Sequence, residues 1–181
     1  MNIDDKLKRQ IATDEMPQSA DGKMVMTTQP KFIPAEAVKV NLGKRSTANV
    51  RLVDCVGYLV DGAIGVEEDG KIRKVKTPWN KDEMPFEKAA EIGTQKVIRE
   101  YSTIGVLVTT DGSFTDIPRD NYVLAEEKTV KELKRSGKPF VIVLNCKNPT
   151  SKESVALCGS LENKYGVPVV VTLNHFVADT D

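Results

Sequence analysis

From residue 86 onward the apolar positions switch between two periods. In "PFEKAAEIGTQKVIRE" (85 to 100), Phe86, Ala89, Ala90, Gly93 and Val97 recur at three- and four-residue spacing. So do Val123, Leu124, Val130 and Leu133 in residues 120 to 135, and Val155, Cys158, Leu161 and Tyr165 further on. That spacing puts each set on one face of a helix. Pro85 opens the first of these helices, and Thr150 with Glu153 predicts a capping box before the last. Between them lie the unbroken apolar runs "STIGVLVTT", "FVIVLN" and "VPVVVTLN". Such runs are typical of strands covered on both faces.

Two junctions nearly repeat each other, "KRSGKPFVIVLN" (134 to 145) and "NKYGVPVVVTLN" (163 to 174). Each reads as helix end, glycine, one residue, proline, buried strand. The glycine can take the left-handed conformation that closes a helix, and the proline cannot continue one. An order of αβαβαβ follows, which predicts a doubly wound α/β fold with a mostly parallel sheet.

Before residue 58 the period falls to two. "VKVNLGKRSTANVRLVD" contains two β-rich runs joined by a short polar loop with a glycine, which predicts a hairpin at about 38–54. The hairpin is expected to lay one antiparallel edge strand beside the parallel sheet. Residues 58–85 form a Gly- and charge-rich segment containing the sole tryptophan, Trp79, and are expected to be a long loop.

Composition narrows the function classes. At 181 residues with 40% hydrophobic content the chain suits one domain. Its 26 basic and 26 acidic residues cancel, with no basic run interleaved with aromatics, so nucleic acid is not an expected partner. Cys55, Cys146 and Cys158 show no paired spacing and are expected to be buried, reduced thiols, and a single histidine argues against a Cys/His metal cluster. No apolar stretch approaches the roughly 20 residues that cross a bilayer, and "MNIDDKLKRQ" is too polar for a signal peptide, so a cytoplasmic location is expected.

The candidate chemistry centres on "LVDCVGY" (52 to 58). Asp54 follows Val50, Leu52 and Val53, which places it at the carboxyl end of a buried strand, where ligands bind in open α/β sheets. A carboxylate there can hold the water shell of Mg2+, and Gly57 can bring its backbone N–H close to a terminal phosphate. Alone, Asp-x-x-Gly is weak, since chance gives on the order of one match in a chain of this size. The alternative is an ordinary strand-to-loop turn. Upstream, Thr27 and Thr28 in "KMVMTTQPKF" precede the hairpin as switch-type nucleotide hydrolases require, where a threonine hydroxyl completes the magnesium shell.

No phosphate-cradling G-x-x-x-x-G-K-[ST] run is present. Gly22-Lys23, Gly43-Lys44 and Gly137-Lys138 all fail it. In "GKRST" the residue after Lys44 is Arg45, Val38 stands where the first glycine is needed, and the context is strand–loop–strand rather than strand–loop–helix. Tyr58 occupies the place where Ras-type hydrolases carry a water-orienting glutamine. After "FVIVLN", guanine-specific enzymes carry Asn-Lys-x-Asp, whereas Asn145-Cys146-Lys147-Asn148 has no aspartate. Asn145 and Lys147 are therefore candidate base-contacting residues for ATP rather than GTP.

The segments "DEMPQSADGKMVMTTQPKFIP" (14 to 34), "NVRLVDCVGY" (49 to 58), "TPWNKDEMPFEKAAEIGTQKVIREYSTIGVLVTTDGS" (77 to 113) and "AEEKTVKELKRSGKPFVIVLN" (125 to 145) resemble the stage IV sporulation protein A family. The resemblance implies a P-loop NTPase-like fold of the translation-factor GTPase class, with ATP and Mg2+ as ligands. It implies a morphogenetic ATPase, Asp54 as the magnesium-site acid, and Thr27 and Thr28 as nucleotide-sensing residues, with Thr28 also reaching the metal. Family members self-assemble into a polymer as the base of the spore coat, so the implied partners are further copies, coat proteins and forespore-surface proteins, on the mother-cell side of the forespore. By the same resemblance the phosphate loop would lie before residue 1, residues 1–181 would be a partial ATPase domain without the family's middle and C-terminal domains, and the chain alone is expected to be marginally folded and inactive. Two other readings stay open: an assembly module without turnover, and a doubly wound binding domain in which Asp54 is only a turn residue.

Overall fold

The computed structural model describes residues 31–43, 46–63, 66–68, 70–77, 80–113 and 116–173. The chain divides into two compact units, one of residues 1–56 and 65–93, the other of residues 57–64 and 94–181.

In the first unit, strands β1 (Lys31–Gly43) and β2 (Ser46–Asp54) form an antiparallel hairpin. Alternation sets its register: Val38 faces Val50 and Val40 faces Ala48, and these four half-buried positions share one side. The hairpin extends further toward the N-terminus than the expected 38–54. After a register shift between Ile33 and Val38, pairing resumes at Phe32 with Val53 and Lys31 with Asp54. The Arg51 guanidinium lies 4.0 Å from the Phe32 ring centroid, a diagonal cross-strand contact.

Two expectations fail here. Among the described strands the hairpin is a sheet of its own and is not an edge of the parallel sheet. Nor is β2 buried: Leu52 is 56% exposed and Asp54 is exposed. Pairing within a hairpin satisfies each strand on its inner side only, and the sequence period that announces a hairpin carries no information about what meets its outer edges.

Residues 58–85 are also not a plain loop. β3 (Glu67–Glu68) pairs with β4 (Lys71–Ile72), and β5 (Lys74–Thr77) with β6 (Asn80–Pro85). The signal for the first hairpin is the Asp-Gly pair between Glu68 and Lys71, with Gly70 at φ +72°. Frequent charges hid it by masking the short alternation. Trp79 lies outside the described residues. Helix α1 (Phe86–Lys96) follows directly, burying Phe86, Ala89 and Ala90 as its spacing predicts.

The second unit carries the parallel sheet, in the order β7 (Gly105–Thr110), β8 (Phe140–Cys146), β9 (Val169–Leu173). Helix α2 (Val123–Ser136) joins β7 to β8, and α3 (Lys152–Tyr165) joins β8 to β9. Both repeated junctions behave as predicted. Gly137 and Gly166 each stand at φ +67° as helix C-caps, with N–H groups bonded back to Lys134 and Glu162 carbonyls. The prolines that follow start the ladder: Pro139 O accepts from Gly105 N at 2.9 Å and Pro168 O from Ile142 N at 3.0 Å.

Val130 and Leu133 of α2 and Leu161 and Tyr165 of α3 close over Leu107, Ile142, Leu144 and Val169, forming the core together with Ile98. Ile142, Leu144 and Cys146 are wholly buried. Both helices cover the same face. On the other face Val106 and Val108 are 55% and 63% exposed, so the expectation of strands covered on both sides is not met in this unit. Spacing alone places Leu124 and Val155 on packed faces, and both are exposed. The helical faces bury Ala125, Glu126, Glu132 and Ser154 instead.

The helical run before β7 ends in a π turn, Val97–Tyr101, whose carbonyls are met by the ammonium of Lys138. Lys138 Nζ donates to the carbonyls of Ile98 (2.8 Å), Arg99 (2.8 Å) and Ser102 (2.6 Å). The Gly137-Lys138 pair thus serves one helix end with its glycine and another with its lysine. No helix among the described residues is long and apolar enough to cross a membrane.

Glu132 is buried and accepts from Arg99 Nη2 at 2.8 Å and Arg135 Nη1 at 3.1 Å. The Arg99 bond, supported by Arg135, holds its carboxyl below the usual glutamate range despite the opposing effect of burial. A depressed folded-state pKa contributes stability that is complete above the ordinary value of about 4.3 and is lost as pH falls through the lowered value. Glu132→Gln is therefore expected to cost about 1 kcal/mol at neutral pH, a figure kept low because both arginines are largely exposed. Urea titrations at successively lower pH should show the gap between variant and wild type closing.

Candidate functional site

The carboxyl ends of β7 and β8 carry a connected polar cluster. It is built from the loop after β7 (Asp111, Gly112, Ser113), the end of β8 at Asn145 with the loop that follows it (Lys147, Asn148), and the start of α3. Thr110 Oγ1 accepts from Gly112 N at 3.0 Å, and Ser113 N donates to Asp111 Oδ1 at 2.9 Å, folding the first loop onto itself. Gly112 is required there: φ is +81°, and a Cβ would come within 3.0 Å of Arg119 N.

Ser113 Oγ then accepts from Lys147 N at 2.8 Å, and Asp111 N from its side of the sheet donates to Asn145 O at 3.4 Å. Across the cluster, Ser154 Oγ donates to Asp111 Oδ2 at 3.5 Å. The α3 cap falls one residue later than the expected Thr150 and Glu153. Ser151 Oγ accepts from Ser154 N at 3.1 Å, while Thr150 Oγ1 donates to Asn148 Oδ1 at 3.1 Å and shapes the loop instead.

Asn145 at the end of β8 and Lys147 in the loop after it thus stand at one end of the sheet, with Lys147 exposed. The Asn145 side-chain oxygen is buried without a hydrogen-bond partner among the described residues. A buried acceptor left unmet costs about 1–3 kcal/mol, and a donor arriving from a ligand would recover that cost. Loops at this end of a parallel sheet are where α/β proteins bind their ligands.

The other predicted residues belong to other segments of the chain. Asp54 ends β2 in the first unit, exposed and opposite Lys31 in the ladder. Gly57 belongs to the second unit and adopts φ +79° with open space where a Cβ would point, which fits the close backbone approach assigned to it. Thr27 and Thr28 lie outside the described residues. Among the described residues no three His, Cys, Asp or Glu side chains group as a metal cage. Mg2+ does not require one, because it is commonly held by one or two carboxylates together with water and substrate phosphates, and the exposed Asp54 fits that role.

Sequence reasoning missed Asp111, Ser113, Ser151 and Ser154. The available signal was "TTDGS" directly after a strand: a turn-forming Asp-Gly at the same sheet end as Asn145. Cys146 is wholly buried at the end of β8, and burial raises the half-buried Cys158 thiol above the usual range, so Cys158 is not an activated thiol.

Fold and cluster define an α/β protein whose connecting loops gather at the carboxyl end of a parallel sheet. A family model described as "Stage IV sporulation protein A, ATPase domain" matches residues 1–180. The chain belongs to this family. It is 53% identical over 169 residues to the Stage IV sporulation protein A of Clostridioides difficile (strain 630), covering 93% of this chain and 34% of that protein. It is 47% identical over 180 residues to the proteins of the same name from Bacillus anthracis and Bacillus subtilis (strain 168), covering 99% of this chain and 37% of each. The chain thus spans about a third of the length of these relatives. No solved structure matches it.

Proposed function

We propose that residues 1–181 form part of an ATP-binding and ATP-hydrolysing domain of the P-loop, translation-factor type. The observation that carries this reading is the match of the family's ATPase-domain model across residues 1–180. Asp54 orders the water shell of Mg2+, the left-handed Gly57 offers its backbone N–H to the terminal phosphate, and Thr27 and Thr28 sense that phosphate, with Thr28 on the metal. Asn145 and Lys147 take the base side, where the unmet Asn145 oxygen suits the exocyclic amine of adenine. With asparagine at 148 in place of an aspartate, guanine's two donors find no shared acceptor. No G-x-x-x-x-G-K-[ST] run occurs within residues 1–181, so on this reading the phosphate-gripping lysine is not among them.

For the whole protein, the corresponding reading is a sporulation ATPase. It self-assembles at the forespore surface, on its mother-cell side, as the base of the spore coat, in contact with coat and forespore-surface proteins.

The base assignment is tested by Mg2+-dependent binding of fluorescent ATP and GTP analogues to the chain extended upstream of Met1 by a family phosphate-loop segment. ATP is expected to bind at least about tenfold more tightly, and Asn148→Asp to move the preference toward GTP. Equal affinity for both nucleotides, unchanged by Asn148→Asp, would remove Asn145 and Lys147 from the site.

A further inference from the structure

Helices α2 and α3 frame an open groove of about 500 Å³ on the outer side of the second unit. Its floor is apolar, formed by Val130 and by Tyr165, which is 5% exposed. Its walls are cationic, with Lys131, Lys134 and Arg135 on α2 and Lys164 on α3, against the single acid Glu127. Glu127 accepts an ion pair from Lys164 at 2.7 Å, fastening the two walls together, and Arg135 is engaged by Glu132. Lys131 and Lys134 are exposed and have no ion-pair partner among the described residues.

The stripe continues along α2. Leu124, Lys128, Lys131 and Arg135 recur at four-, three- and four-residue steps, so they lie along one side of the helix, all exposed, with the leucine at its start. From Leu124 to Arg135 the helix rises roughly 16 Å at 1.5 Å per residue.

The shape and spacing of these charges select among anionic partners. Cations spread over about two helical turns, from Lys128 to Arg135, match a row of carboxylates better than one phosphate group. A flat bilayer cannot enter a concave groove. A nucleic acid would meet Glu127 inside it and find no exposed aromatic on the floor to stack on. We propose that this groove docks an acidic, helix-forming protein segment that carries one apolar side chain. Acids at i, i+3 and i+4 face the lysines of α2, and the apolar side chain packs on Leu124 or over the Val130 floor. The proposal is independent of nucleotide binding.

The test is fluorescence anisotropy of a labelled, glutamate-rich helical peptide containing one leucine, titrated with the 181-residue chain. Wild type is expected to bind it, more weakly as salt rises. Lys131→Glu with Lys134→Glu should weaken binding by at least about tenfold. Lys131→Arg with Lys134→Arg should retain it, and circular dichroism of all three proteins shows that folding is unchanged. Failure of wild type to bind the peptide, equal binding by the charge-reversed variant, or preference for phosphatidylglycerol vesicles over the peptide would overturn the proposal.

Discussion

Glu126→Ala is expected to destabilise the second unit by about 3 to 5 kcal/mol, a large part of a domain's usual margin of about 5 to 15. Glu126 is 3% exposed, yet it lies on the face of α2 that turns toward the sheet. A buried carboxylate is tolerable only when its oxygens are met, and here three residues from separate elements contribute. Arg119 donates one hydrogen bond, from Nη2 to Oε2 at 2.9 Å, and its Nη1 stands 2.6 Å from Oε1 as an ion-pair contact. Thr109 of β7 donates to Oε1, and the Tyr165 hydroxyl of α3 donates to Oε2 at 3.3 Å. Removing the carboxylate leaves the Arg119 cation, itself mostly buried, without its counter-charge, and opens a void beneath α2.

Tyr165→Phe and Thr109→Val each delete one hydrogen bond and should cost only about 1 kcal/mol. Urea denaturation followed by circular dichroism distinguishes the cases. A Glu126→Ala variant within about 1 kcal/mol of wild type would show that the network contributes little. The second change with a large expected effect is Asp54→Asn. On the proposed role it should reduce Mg2+-dependent turnover at least about a hundredfold in a chain extended by a family phosphate loop, with little effect on stability because Asp54 is exposed.

The parts of the fold legible in the sequence were those governed by local rules. The glycine–proline junctions at 137 and 166 announced helix ends and parallel strands because left-handed backbone and the loss of an N–H are properties of single residues. The β1–β2 hairpin was legible from its alternation. What failed depended on neighbours distant in sequence. Leu124 and Val155 fit a helical apolar face by count, but Glu126 and Ser154 occupy the buried positions because partners elsewhere satisfy them, and nothing in their own spacing announces Arg119 or Asp111. The same holds for the site. Asn145 and Lys147 were found by their place after a strand, whereas Asp111 and Ser113 matter through bonds to residues more than 30 positions away. The hairpins within 58–85 were missed for another reason: strands of two to six residues in a charged context offer too few alternations to stand out.

The central claim is that Asp54 and the loop around Asn145 belong to a magnesium-dependent ATPase whose phosphate-gripping lysine is not within residues 1–181. It is tested most directly by measuring phosphate release from Mg-ATP by three proteins: the 181-residue chain, the chain extended upstream by a family phosphate-loop segment, and the extended chain with Asp54→Asn. The account predicts turnover by the extended chain alone. Turnover by the 181-residue chain at the rate of the extended one, or an undiminished rate with Asp54→Asn, would contradict it.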